Sequence, residues 1–285
     1  MEECWGYQIS LENHAAIMQG GMQAYASWKA AVNEYNFPLP EEIDPRGWFK
    51  IENQQQTSSC AGNSLADAGE FCNLMADGTE VQLSRYFAYL ASQEMGGGMT
   101  GDNGAYLEAG TRAAARGIPS ESAFPWGTNY NAQRSKYRSE FSSLMAGPTW
   151  KYPGAIPLPK FEDAIHFIGT WSGPIQIGID FTLDDAWETT SYRYGNGRRG
   201  HAPLLCGYLR VDAWPMKKGI LLKNSWGKNW CRDGWKLISQ QAYDQMFASR
   251  YNVAIGRSEM VSPKPRGQQA AEFLQFSKGQ WSQSL

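Results

Sequence analysis

The segment QQQTSSCAGNS, Gln54 to Ser64, sets one thiol among small polar residues. Thr57, Ser58, Ser59, Ala61, Gly62 and Asn63 give Cys60 nothing apolar to bury against. A helical pattern begins at the cysteine, which places its sulfur in a first turn, where unpaired N–H groups and the positive end of the helix dipole favour an anion. A thiolate in that position attacks carbonyl carbon, provided that a base takes its proton. The chain holds three histidines. His14 and His166 lie in helical patterns and read as surface or capping residues. His201 follows a glycine-rich loop in GNGRRGHAPLLCGY and opens a strand, so its ring is expected at a strand entrance, facing across a cleft. Cys72, Cys206 and Cys231 sit in apolar patterns or beside Trp and read as small buried hydrophobes.

The elements that must position these residues fall into two groups. Residues 11–35 read as a helix with Ser10 as its cap, interrupted at Gly20-Gly21 and ended by FPLPEE. Cys60 to Ala76 carries Leu65, Ala68, Cys72 and Met75 on one face and stops at Gly78. Two further helices are predicted, one after the Ser84 cap and one from about Gly104 to Arg116, ended by Gly117. Beyond about residue 150 the period shortens to that of strands, at 174–180, 202–210, 219–226 and 235–239. The expected fold class is α+β, helical first and sheet-rich second. Residues 261–285 are polar, rich in Gln and Ser, and read as an arm.

Bulk properties narrow the chemistry. Among 285 residues, 26 Lys and Arg against 28 Asp and Glu leave no basic stripe, so nucleic acid is not an expected partner. No apolar run approaches a membrane span, and the N-terminus lacks the charged and apolar regions of a signal peptide. Five cysteines with no C-x-x-C pair and no Cys/His cluster at zinc spacing point to neither a disulfide framework nor a metal. No metal and no cofactor are expected, and a reducing compartment suits the thiols, cytoplasmic or within a virion or other large assembly.

His201 stands 141 residues beyond Cys60, and Asn224, in KNSWG, stands 164 beyond. Together with LPEEIDPRGWFKIENQ (39–54), GDNGAYLEAG (101–110), ARGIPSESAFPW (115–126), GHAPLLCGY and KNSWGKNWCRDGWKLIS (223–239), these residues resemble the papain-like cysteine proteases over about residues 38–260. The resemblance implies a two-lobe fold: a helical L lobe at 38–150 bearing the nucleophile, an antiparallel barrel-like R lobe at 151–260 bearing the histidine and asparagine, and a cleft between them. It assigns Cys60 as nucleophile, His201 as acid and base paired to the thiolate, Asn224 as the residue orienting the imidazole, and Gln54 as the oxyanion-hole side chain. Trp226 would shield the His201–Asn224 bond from water. Gly104, with Asn103 replacing a glycine before it, matches the loop that binds substrate as an added strand, and Gly200 precedes His201 where the family has an acidic or amide residue.

Other departures are Thr57 and the absence of cysteine near Gly101, which remove a family disulfide, and Ala61 in place of an aromatic. Residues 1–37 are short for the family's inhibitory prodomain and read as a propeptide-like extension or an assembly arm. Together with 261–285 they would support homo- or hetero-oligomeric assembly. The expected function is a thiol-dependent peptidase acting on a peptide or protein substrate through an acyl-enzyme. The alternatives are a papain-like fold serving as a structural or binding component of a larger assembly, and acyl transfer to an amine by the same residues.

Overall fold

A computed structural model of the chain describes residues 7–8, 11–35, 38–77, 80–170, 172–180, 186–192, 200–249 and 252–257; at 11–20, 35, 76 and 77 it describes the backbone alone. The C-terminal arm, Arg198, Arg199 and the side chain of His14 lie outside the described residues. The first part of the chain forms helices α1 (Leu11–Tyr35), α2 (Cys60–Asp77), α3 (Arg85–Met95) and α4 (Leu107–Arg116). A short strand β1 (Ile118–Pro119), helix α5 (Tyr130–Ala146) and strand β2 (Thr149–Trp150) follow, with β1 and β2 antiparallel.

Helix α2 is buried from Cys60 through Gly69, wedged between the other helices and the sheet. Its neighbour α3 starts where Ser84 Oγ accepts from Phe87 N, as a cap should, and lies so close that a Cβ on Gly62 would fall 2.6 Å from Tyr89 N. The glycine two residues after the cysteine therefore sets how near α3 approaches the head of α2.

The second part contains β3 (Ile156–Pro157), α6 (Phe161–Gly169), β4 (Ile175–Gly178), β5 (Glu188–Thr189), β6 (Leu204–Arg210), β7 (Lys218–Lys223), β8 (Trp235–Ile238), α7 (Gln240–Phe247) and β9 (Val253–Gly256). Seven of these strands form one sheet in the order β3-β9-β4-β6-β7-β8-β5, antiparallel except for β5 beside β8. The fold is α+β, but the sheet stays open instead of closing into the barrel-like form expected.

The two parts exchange segments. Ile43 pairs with Tyr208 through two backbone bonds of 2.8 and 2.9 Å, and Asn53 bridges Trp226, so residues before α2 extend the sheet. Conversely Arg257, fully buried at the end of β9, donates to Leu107 O and Thr111 Oγ1 on α4, while its Nε and Nη2 meet Gln176 Oε1 on β4. Gln176 Nε2 in turn donates to Ala61 O and Ser64 Oγ of α2.

Three further local expectations are corrected. Helix α1 runs unbroken through Gly20-Gly21, because Gly21 serves close approach: its Cβ would meet Pro157 Cδ at 2.5 Å. Helix α4 starts at Leu107, not near Gly104, since Ala105 is engaged in an extended bridge and Tyr106 keeps extended φ and ψ. Cys231 is only half-buried, in a turn at φ +50, whereas Cys72 and Cys206 are buried.

Candidate active site

The small polar residues ahead of α2 form a hydrogen-bonded knot. Thr57 Oγ1 donates to Gln54 O at 2.6 Å and meets Ser59 Oγ at 2.7 Å, while Asn63 Nδ2 donates to both Ser59 O and Ser59 Oγ at 3.0 Å. The knot fixes the first turn and so the Cα–Cβ direction of Cys60. The expectation that Cys60 has nothing to bury against is overturned: the residue is 0% exposed and packs in one apolar cluster with Tyr7, Ala105 and Ala202. Members of that cluster come from distant parts of the chain.

Gln54 is tied to the segment that carries Asn224. Its backbone N–H donates to Ser225 O at 2.8 Å, and its Oε1 accepts from Ser225 Oγ at 2.6 Å. The amide is oriented by Thr57 O, which can only accept and takes a bond from Nε2 at 2.8 Å, on the side of the loop ahead of Cys60.

His201 is held by its backbone on Ile179, with N–H and C=O each bonded at 2.9 Å. Its Nε2 lies 2.7 Å from Asn224 Oδ1, and the Ser225 N–H also donates to that oxygen at 2.8 Å, which fixes the asparagine amide with its acceptor toward the ring. Neutral His201 therefore carries its proton on Nε2 and leaves Nδ1 as the basic nitrogen. Nδ1 has no hydrogen-bond partner among the described residues. Trp226 stacks on the imidazole at 4.5 Å between centroids, 28° from parallel, and Trp230 supports Trp226 edge-on. Full burial pushes the His201 pKa down to about 4 against the opposing Asn224 bond. Burial thus favours the neutral ring in this form.

What closes the site is part of the same chain. Tyr7 N donates to Gly200 O at 2.9 Å and Gln8 N donates to Ala105 O at 3.1 Å, so these two residues lie as a strand between the helical part and the sheet. Gln8 Nε2 adds a bond to Asn103 O. The Tyr7 ring fills space left by two glycines: a Cβ on Gly178 would stand 2.5 Å from Tyr7 Cζ, and one on Gly200 would stand 2.3 Å from Tyr7 Cδ1. Of the residues singled out in the sequence, Asn103 and Gly200 meet this strand through their carbonyls. Gly104 does not; its N–H and C=O turn inward to Tyr89 and Gln93. The carbonyl that accepts from Gln8 N belongs to the next residue, Ala105.

Residues 39–255 match the family described as papain family cysteine protease, and the chain belongs to that family. Procathepsin L of Rattus norvegicus is 26% identical over 198 residues, 67% of this chain and 56% of that relative, so the chain spans little more than half of the relative's length. Among solved structures, xylellain, a cysteine protease from Xylella fastidiosa, superposes with a TM-score of 0.62 at 20% identity, covering 82% of this chain and 90% of its own. A Carica candamarcensis cysteine protease in complex with E-64 gives a TM-score of 0.57 at 19% identity, covering 78% of this chain and 99% of its own. These structures share the fold. None of the likenesses supports a non-enzymatic component of a larger assembly.

Proposed function

We propose that this chain is a thiol-dependent peptidase with Cys60, His201 and Asn224 as its triad, held latent by its own residues Tyr7 and Gln8. The observation that supports it most is His201 itself: oriented by Asn224, covered by Trp226, and left with a basic Nδ1 in the cleft that the N-terminal strand fills. Once the strand leaves, His201 Nδ1 takes the thiol proton, Cys60 Sγ attacks the peptide carbonyl, and the imidazolium delivers the proton to the departing amine. Gln54 Nε2 and the Cys60 backbone N–H hold the oxyanion, and water then releases the acyl group. A peptide substrate docks as a strand on Ala105 and Gly200, using the backbone groups that Tyr7 and Gln8 now occupy.

The likeness to a protease solved with E-64 suggests the probe. A peptidyl epoxide of that kind is expected to label Cys60 slowly in the full chain, faster in a chain lacking residues 1–9, and not at all in Cys60→Ala. Absence of labelling in both the full and the shortened chain under reducing conditions would sink the peptidase reading.

A further inference from the structure

We propose that Asp102 is a positioning residue that holds the nucleophile loop and the substrate edge in register. A single oxygen, Asp102 Oδ1, accepts from Ser58 N at 2.9 Å and from Tyr89 Oη at 2.8 Å. Ser58 lies two residues before Cys60, on the loop that the Gln54–Thr57–Ser59 knot rigidifies. Tyr89 lies on α3 and leads to the other side of the cleft. Its hydroxyl has one hydrogen, which goes to Asp102, so the same oxygen must accept from Gly104 N at 3.1 Å and from Gln93 Nε2 at 2.9 Å. Gln93 Nε2 also reaches Gly101 O and Gly104 O, and Gln93 Oε1 accepts from Tyr130 Oη at 2.8 Å.

Two donors of this chain of bonds, Ser58 N and Tyr89 Oη, are directed by the carboxylate itself. Asp102 determines where the Tyr89 hydrogen points, Tyr89 determines where Gly104 sits, and Gly104 precedes Ala105, whose carbonyl accepts from the strand in the cleft. Bonds to an ionised acceptor are about twice as strong as neutral ones, and linked bonds polarise one another. The carboxylate spans a gap that no covalent link closes, since neither Ser58 nor Asp102 has a thiol and Cys60 remains a thiol. Around Asp102 the titratable groups are Tyr86, Tyr89 and Tyr130, each held further toward its neutral form by burial, and the other charges acting on them are Arg134 and Arg138 near Tyr130. Without Asp102 the Tyr89 hydroxyl is released to rotate, Ser58 N loses its acceptor, and the edge and the nucleophile settle independently.

The inference rests on the peptidase reading, and its test separates the two. Cys60 in the full chain is labelled by two reagents, a peptidyl epoxide, which must dock on the Ala105 edge, and iodoacetamide, which need not. The ratio of their rate constants cancels any change in how often the N-terminal strand leaves. Asp102→Ala is expected to lower that ratio by roughly ten- to a hundredfold, the range for a lost charge-assisted bond. Asp102→Asn, which keeps an oxygen in place, should fall between, and it carries the test if the alanine variant does not fold. Unfolding would expose the thiol to iodoacetamide alone and also lower the ratio, so only variants shown by urea titration to be folded under the labelling conditions are compared. A ratio within twofold of wild type in the folded variants overturns the role of Asp102, whereas wild-type protein that the epoxide labels neither as the full chain nor without residues 1–9 overturns the peptidase reading beneath it.

Discussion

Ser225 Oγ donates to Gln54 Oε1 across 2.6 Å, joining the loop ahead of the nucleophile to the residue that follows Asn224. The two halves of the site are thereby coupled through one side-chain amide. In a chain lacking residues 1–9, Gln54→Ala is expected to lower kcat about 10²–10³-fold with KM little changed, the usual loss for an oxyanion donor. Ser225→Ala keeps the donor but frees its orientation, and a loss of about tenfold is expected. Steady-state turnover of a peptide substrate reads both, and a pure KM effect would contradict the assignment.

The Tyr7–Gln8 strand and α1 behave as separable parts. Removing residues 1–9 takes away Tyr7 and Gln8, and epoxide labelling of Cys60 should rise roughly tenfold or more, because a tethered competitor acts at a high effective concentration. Removing 1–37 also takes Trp28, which is buried against Phe167 and donates to Ser172 Oγ, and Lys29, which pairs with Asp163. That longer deletion is expected to cost about 3–5 kcal/mol from the loss of Trp28 alone. Urea titrations of the two deletions should separate them clearly; equal midpoints would contradict this packing role of α1.

Burial of His201 also predicts a pH signature. Its folded pKa, about 4, lies below the ordinary 6.5, so between these values the unfolded chain binds a proton that the folded chain does not. Stability from this residue is present above pH 6.5 and is lost as pH falls toward 4, by up to about 3 kcal/mol. Glu70, pushed up to about 8 mainly by burial, works in the opposite sense, favouring the fold less as pH rises through the same range. The His201 share is isolated by subtracting the pH dependence of His201→Gln from that of wild type in chemical denaturation. A flat difference between pH 4.5 and 6.5 would show that the ring is charged or exposed.

Lys223, immediately before Asn224, reaches from β7 to Asp67 on α2 at 2.5 Å, with both side chains almost fully buried. Lys223→Met leaves Asp67 in an apolar setting and is expected to cost about 3–5 kcal/mol. Adding Asp67→Asn should recover much of that loss, since the unpaired charge and not the missing contact dominates. Additive losses in the double variant, measured by denaturant midpoints, would rule this out.

Much of this arrangement was legible in the sequence, for identifiable reasons. Helix α2 begins at Cys60 as expected, α3 begins at its Ser84 cap, and β4, β6, β7 and β8 fall on the apolar alternations at 174–239. The His201–Asn224 contact was implied by the family resemblance. Helix α5 was missed because only Tyr130 and Tyr137 of its residues are buried, so it carries little apolar periodicity. That Ala105, not Gly104, pairs with Gln8 was not legible, because the pairing is made by backbone groups, which any side chain can accompany. The burial of Cys60 was missed because its apolar cluster gathers residues such as Tyr7, Ala105 and Ala202, which no local window connects.

The exchange of segments between helices and sheet has a consequence for how the protein is made. Residues 43–54 belong spatially to strands completed near residue 226, and the guanidinium that braces α2 through Gln176 belongs to residue 257. Contacts so distant in sequence close late in folding. A chain still emerging from the ribosome therefore carries Cys60 long before His201, Asn224 and Arg257 exist to complete its surroundings.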